Sequence, residues 1–236
     1  MGNLCGTAAA FAAQGGGGAS GAEAPPAAWQ PPPVPAAGAR RSTLRVPEDC
    51  PSLAAAVKAA AAGDRIAVAE GVYSETVFVD KALEIVGRGS PARVCLQAIN
   101  ASALTLARAP CRLENLTIRV RDVAGAAGGR GCACVDAGAG SRLLLEHCVL
   151  EGGRCGLQTS GTAVLVASEV RGSAETGVLG LAGSQVWMLR CSVHSHALSG
   201  IHLQVRARVL GGRGGSGASA ACACADAAAN NAVRAG

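Results

Sequence analysis

Between Leu143 and Leu203 one short phrase recurs three times at nearly constant spacing, and this constrains the fold more than any other feature. Gly156-Leu157-Gln158 leads into Val164-Leu165-Val166, Gly177-Val178-Leu179 into Val186-Trp187-Met188, and Gly200-Ile201-His202 into Leu203-Gln204-Val205. The glycines stand 21 and 23 residues apart (156, 177, 200). After each apolar run comes a polar corner and another aliphatic residue, as in Glu146-His147-Cys148-Val149-Leu150 and Leu189-Arg190-Cys191-Ser192-Val193. A repeat of this length that cannot bury its apolar face alone implies a solenoid.

The type of solenoid follows from what each period lacks. No window here shows apolar residues at the three-and-four spacing of an amphipathic helix, which disfavours helical repeats. Three strands of three to five residues plus turns use up one period of roughly 22 residues, the content of one rung of a parallel β-helix, with rungs stacked about 4.8 Å apart. The expected fold is therefore all-β: a right-handed parallel β-helix of about seven rungs. Aligned repeats put Leu116, Cys148 and Cys191 in one inward column and Ile118, Leu150 and Val193 in the next. Asn115, His147, Ser168 and Arg190 align as a polar ladder along one corner.

Composition agrees with a slim interior. Aromatic residues make up 2%, so Val, Leu, Ile, Ala and Cys must fill the core. The net charge is +5, and only Lys58 and Lys81 among 21 basic residues are lysines. The arginines are scattered and lack aromatic platforms beside them, which argues against a nucleic-acid partner. Eleven cysteines with no secretory leader ahead of them point to free thiols in a reducing, cytoplasmic compartment. Cys132-Ala133-Cys134 and Cys222-Ala223-Cys224 do not have the two-residue gap of zinc knuckles, so neither a metal nor another cofactor is expected.

Three regions are expected: an Ala/Gly/Pro-rich disordered arm over residues 1–41, the coil over 42–210, and a low-complexity tail over 211–236. Gly2 after the initiator Met resembles an N-myristoylation site and Cys5 a palmitoylation site, so peripheral membrane tethering is an expectation for the arm. In the coil, Thr43–Val46 reads as a strand. Ser52 reads as the cap of a helix from Leu53 to Ala62 closed by Gly63, and Glu70–Tyr73 as a turn. The Gly/Ala-rich stretch 122–130 lengthens one period, since Leu113 to Leu145 spans 32 residues. No capping element is evident after Leu210, which implies missing sequence or a covering partner.

Pro51-Ser52-Leu53 with its alanine helix, Gly63-Asp64-Arg65-Ile66, Glu70-Gly71-Val72-Tyr73-Ser74-Glu75 and Leu83-Glu84-Ile85-Val86-Gly87-Arg88-Gly89 together resemble the opening of pectin-lyase-like right-handed β-helices. That resemblance implies a short helix capping the first rung. The superfamily includes pectin methylesterases, polysaccharide lyases and hydrolases, and also the non-enzymatic β-helices of F-box-only substrate receptors and SHC-binding spindle proteins. It implies an esterase site built from a carboxylate pair and an arginine on the middle rungs. The comparable corner here, Gly153-Arg154-Cys155-Gly156-Leu157-Gln158-Thr159, has no aspartate.

Hydrolysis of a glycosidic bond needs two carboxylates roughly 5–9.5 Å apart. Asp136 with Glu146, and Glu146 with Glu169, are the pairs that neighbouring rungs could bring together. With His147, Arg190, His194 and His196 they form the candidate groove; no sequence neighbour supplies a carboxylate to orient the histidines. No catalytic residue is assigned. The expected function is a non-catalytic scaffold binding protein or carbohydrate, and the alternative is a polysaccharide-active esterase or lyase with a diverged site.

Overall fold

The computed structural model describes residues 42–121, 132–204, 208–211 and 233–235. Its strands form three sheets that follow one another in turn along the chain. Sheet A holds β1 (Thr43–Val46), β2 (Arg65–Val68), β5 (Leu83–Gly87), β8 (Pro110–Glu114), β11 (Arg142–Glu146), β14 (Thr162–Val166), β17 (Gln185–Leu189) and β20 (Arg208–Gly211). Sheet B holds β3 (Gly71–Ser74), β6 (Val94–Ile99), β9 (Thr117–Arg121), β12 (Val149–Gly152), β15 (Glu169–Arg171), β18 (Cys191–His194) and β21 (Val233–Ala235). Sheet C holds β4 (Val77–Val79), β7 (Leu104–Leu106), β10 (Ala133–Ala137), β13 (Cys155–Thr159), β16 (Thr176–Gly180) and β19 (Ser199–Leu203). From β2 onward the order A, B, C repeats through β19, and β1 and β20 extend sheet A at either end. The result is a coil of about seven turns.

Among the described strands pairing is parallel, except for β21 against β18. Side chains alternate across each strand, so every rung sends two or three inward from each sheet. In sheet A the inner column is Ile66, Ile85, Leu113, Leu145, Leu165 and Met188, none more than 2% exposed. The expected columns of sheet B form: Ile118, Leu150, Val170 and Val193 are register partners, and Leu116, Cys148, Ser168 and Cys191 stand two residues earlier. The buried Ser168 hydroxyl donates to the Val166 and Leu145 carbonyls, which satisfies it within an otherwise apolar and thiol column.

That placement corrects the expected corner ladder. The residues at the A-to-B corner are Asn115, His147, Ala167 and Arg190, and Ser168 lies one position inside. All four have left-handed backbone, φ 56, 52, 47 and 53. The strain of αL in a non-glycine residue is offset by stacking: each corner N–H donates to the next rung, Asn115 to Glu146, His147 to Val166 and Ala167 to Leu189. Gly87 is fixed by the same corner, since a Cβ there would meet the Asn115 carbonyl oxygen at 2.0 Å.

The opening rung differs from expectation in two details. Helix α1 runs Leu53–Ala59 and ends at Ala60, whose backbone is extended, rather than at Gly63. Glu70–Tyr73 is not a turn, because Gly71–Ser74 is strand β3. Ser52 accepts from the Ala55 N–H as expected, and the Glu75 carboxylate adds a second cap by accepting from Leu53 and Ala54 N–H at 2.8 and 2.9 Å. Tyr73 donates its hydroxyl to the Ala69 carbonyl at 3.0 Å. The Tyr-Ser-Glu stretch thus fastens the helix to the first rung, and Leu53, Ala56 and Val57 bury against the core. At the far end, β21 supplies an antiparallel edge to sheet B, so a segment after Leu210 does cover part of the last rung. Stretch 122–130 and the arm lie outside the described residues, as do Gly2 and Cys5.

Candidate functional site

With the interior filled by aliphatic and thiol columns, binding chemistry must come from outward side chains. The eight described cysteines are free and buried. Burial pushes the Cys111 and Cys148 thiols up to about 12, so they stay protonated packing groups. Among the described residues no group of three His, Cys, Asp or Glu side chains is arranged to hold a metal ion.

The three sheets carry different outer walls. On sheet A, Arg112 donates to Glu84 at 3.1 Å and to Glu146 at 2.6 Å and pairs with Glu114 at 3.0 Å, while Arg65 pairs with Glu84 from the rung below. On sheet B, Glu151 accepts from Arg119 and Arg171 at 3.0 and 3.2 Å, and Glu169 accepts from Arg171 at 3.0 Å. Burial would raise the Glu151 pKa, but hydrogen bonds from the two guanidinium groups outweigh it and hold the carboxyl below its ordinary range. His194 Nε2 lies 3.0 Å from Glu169, so a carboxylate does orient this imidazole, from 25 residues earlier.

Sheet C has a single outward column: Phe78, Thr105, Asp136, Gln158, Leu179 and His202, one from each successive rung. Gln158 Nε2 donates to Asp136 at 3.4 Å, and among the described residues no cation pairs with this carboxylate. Half-burial raises the Asp136 pKa, with the Gln158 hydrogen bond opposing. Phe78 is 60% exposed at the amino-terminal end of the column, an aromatic face open to solvent. Past Gln158 the chain turns through Ser160 into a polar groove at the C-to-A corner. This groove has a volume of about 320 Å³ and is lined by Ser141, Arg142, Ser160, Gly161, Thr162 and Gln185, among others.

The residues expected to share one groove are thus distributed around the coil. Asp136 faces out from sheet C, Glu146 from sheet A, and Glu169 and His194 from sheet B. His147 and Arg190 occupy the exposed A-to-B corner. His196 is 7% exposed; its Nδ1 accepts from the Ser173 N–H at 3.2 Å and its Nε2 faces the Val170 carbonyl at 3.2 Å. It is a core imidazole kept neutral by burial, housed where Gly177 has no side chain, and not a groove residue. Of the expected set, Glu169 and His194 are the pair that meets. Phe78, Thr105 and Gln158 escaped sequence reasoning because outward-facing positions carry no periodic signal; the register alone aligns them.

Comparison with solved structures identifies two similar chains. One is a point mutant of a pectin methylesterase in complex with a hexasaccharide, at 14% identity and TM-score 0.53, covering 72% of this chain and 66% of that one. The other is a pectin methylesterase in complex with a second hexasaccharide, at 16% identity and TM-score 0.50, covering 64% and 56%. The fold is a right-handed parallel β-helix, as in these two chains. This chain spans about two thirds or less of the length of either esterase, and the likeness extends to the fold alone. No protein-family model and no curated protein sequence matches it. Among the described residues no helix is long and apolar enough to cross a membrane.

Proposed function

We propose that the coil is a non-catalytic binding scaffold and that its ligand is an extended carbohydrate lying along the outer column of sheet C. The supporting observation is that column itself: an exposed aromatic face at Phe78, then a hydroxyl, a carboxylate, an amide and an imidazole among its successive rungs. Sugars are recognised by stacking of their apolar faces on aromatic rings together with planar hydrogen-bonding groups, and Asp136 with Gln158 supplies acceptors and donors side by side. Thr105 and the corner groove past Ser160 extend the polar strip. Both similar esterases hold hexasaccharides, which fits a linear ligand.

The chemistry favours holding over turnover. Glu84, Glu114, Glu146, Glu151, Glu169 and Glu175 are engaged by arginines, and Asp136 faces an amide. A general acid and base need two carboxylates with separated pKa values across one bond. The ion-paired wall of sheet B is the face on which a protein partner would dock, and Gly2 and Cys5 would add a membrane tether.

Calorimetric titration with neutral and uronic-acid hexasaccharides tests the proposal. Binding to at least one class is expected, weakened about tenfold or more by Phe78→Ala or Asp136→Asn, as expected when a stacked ring or charge-assisted hydrogen bond is removed. Because the folded state raises the Asp136 pKa, the ionised carboxylate is disfavoured in it, so Asp136→Asn should also raise the urea midpoint at neutral pH. Absence of binding, or methyl-ester or glycosidic cleavage abolished by Asp136→Asn, would overturn it.

A further inference from the structure

The outer face of sheet A carries a second apolar cluster, separate from the core. Leu144, Val164 and Trp187 are register partners on β11, β14 and β17, and their chain neighbours Leu143, Leu145, Ala163, Leu165, Val186 and Met188 fill the interior. The three therefore point away from the core. Even so they are 4, 7 and 7% exposed, whereas Leu189 on the same face is 38% exposed. Val166 is the one further described apolar residue packed against them. Trp187 Nε1 is buried without a hydrogen-bond partner among the described residues. A buried indole N–H that has lost water and gained no acceptor is costly, so the site calls for a carbonyl oxygen.

An apolar strip ending in an indole donor fits an extended segment with apolar side chains and free backbone carbonyls, the properties of polyproline II. One stretch of the sequence has the composition for it: Trp29-Gln30-Pro31-Pro32-Pro33-Val34-Pro35. Its reach matches. The arm joins the coil at Ser42, beside β1, and β11, β14 and β17 lie four, five and six strands along sheet A, about 19–29 Å away at 4.8 Å per strand. Pro35 and Trp29 stand seven and thirteen residues before Ser42, about 22–40 Å at 3.1 Å per residue. The tail between Gly212 and Ala232 has neither proline nor a large aliphatic residue and offers nothing comparable.

We infer that residues 29–35 dock across Leu144, Val164 and Trp187, with a backbone carbonyl of the proline run accepting the Trp187 indole N–H. The arm then serves as a strap over the outer wall of sheet A, opposite in chemistry to the ion-paired strands it passes on the way.

Full-length protein carrying Trp29→Phe leaves Trp187 as the sole indole, since the chain has two tryptophans. Its emission should be blue-shifted and resistant to acrylamide. Adding Pro31→Gly, Pro32→Gly and Pro33→Gly together should shift the emission red and increase quenching several-fold while the far-ultraviolet dichroism of the coil is retained. A photo-crosslinking residue at position 30 gives an independent readout, with intramolecular products expected on β11, β14 or β17. Unchanged quenching in the triple-glycine chain, or crosslinks confined to other strands or to a second molecule, would overturn the inference.

Discussion

The two halves of sheet A share one inner wall and have opposite outer ones. From β2 to β8 the outward column reads Arg65, Glu84, Arg112, and from β11 to β17 it reads Leu144, Val164, Trp187, in unbroken register. Beneath both, Ile85, Leu113, Leu145 and Leu165 continue without a change of character. The difference shows that the backbone pairing and the aliphatic columns specify the coil, while each rung is free to present a different surface. In a stack where each rung contacts only its neighbours, the outer wall can be charged, apolar or neutral and polar without altering the fold.

The largest effect should come from the shared wall. Leu145→Ala removes a fully buried side chain at the boundary between the two halves and should cost about 2–5 kcal/mol by chemical denaturation. A cost like that of a surface site would mean that the inner columns do not hold both halves together.

A smaller effect is expected in the charged half. Arg112→Met removes the guanidinium that joins Glu84, whose side chain is 10% exposed, to Glu114 and Glu146, and about 1–3 kcal/mol should be lost. The Arg112 side chain is itself 25% exposed, so solvent screening keeps the figure below that of a fully buried pair. A neutral result would place this ladder among ordinary surface ion pairs and narrow the contrast with the apolar half.

The smallest effect concerns pH. Burial, aided by the neighbouring His194, lowers the His196 pKa from 6.5, while the Val170 carbonyl opposes. Below pH 6.5 the unfolded chain takes up this proton before the folded one, so stability should be complete above pH 6.5 and decline as pH falls toward the depressed folded value. His196→Gln should flatten that part of the stability profile. An unchanged slope would assign the titration elsewhere.

The three-sheet coil was legible because its cause is periodic. Gly156, Gly177 and Gly200 stack in one column, along with Cys134, because inward chemistry has to repeat wherever identical pleats meet. The corner ladder was misjudged by one residue, Ser168 for Ala167, because a left-handed corner is a backbone property and tolerates Asn, His, Ala and Arg alike. The helix end was overestimated because Asp64 accepts from the Ala61 N–H and ties the chain into β2 before Gly63 is reached.

The site was hardly legible at all. Asp136, Glu146 and Glu169 look like neighbours in a list of polar residues, yet each belongs to a different sheet of the coil, and outward direction is set by where the chain turns. His196 reads as the twin of His194, but one imidazole is exposed enough to meet Glu169 and the other lies in the core. By itself the sequence determined the stack, because burying an apolar column is a local demand met anew in every rung. Only the tertiary structure decided which polar side chains share a face, because contacts between rungs join residues roughly one period apart through a register that no single period encodes.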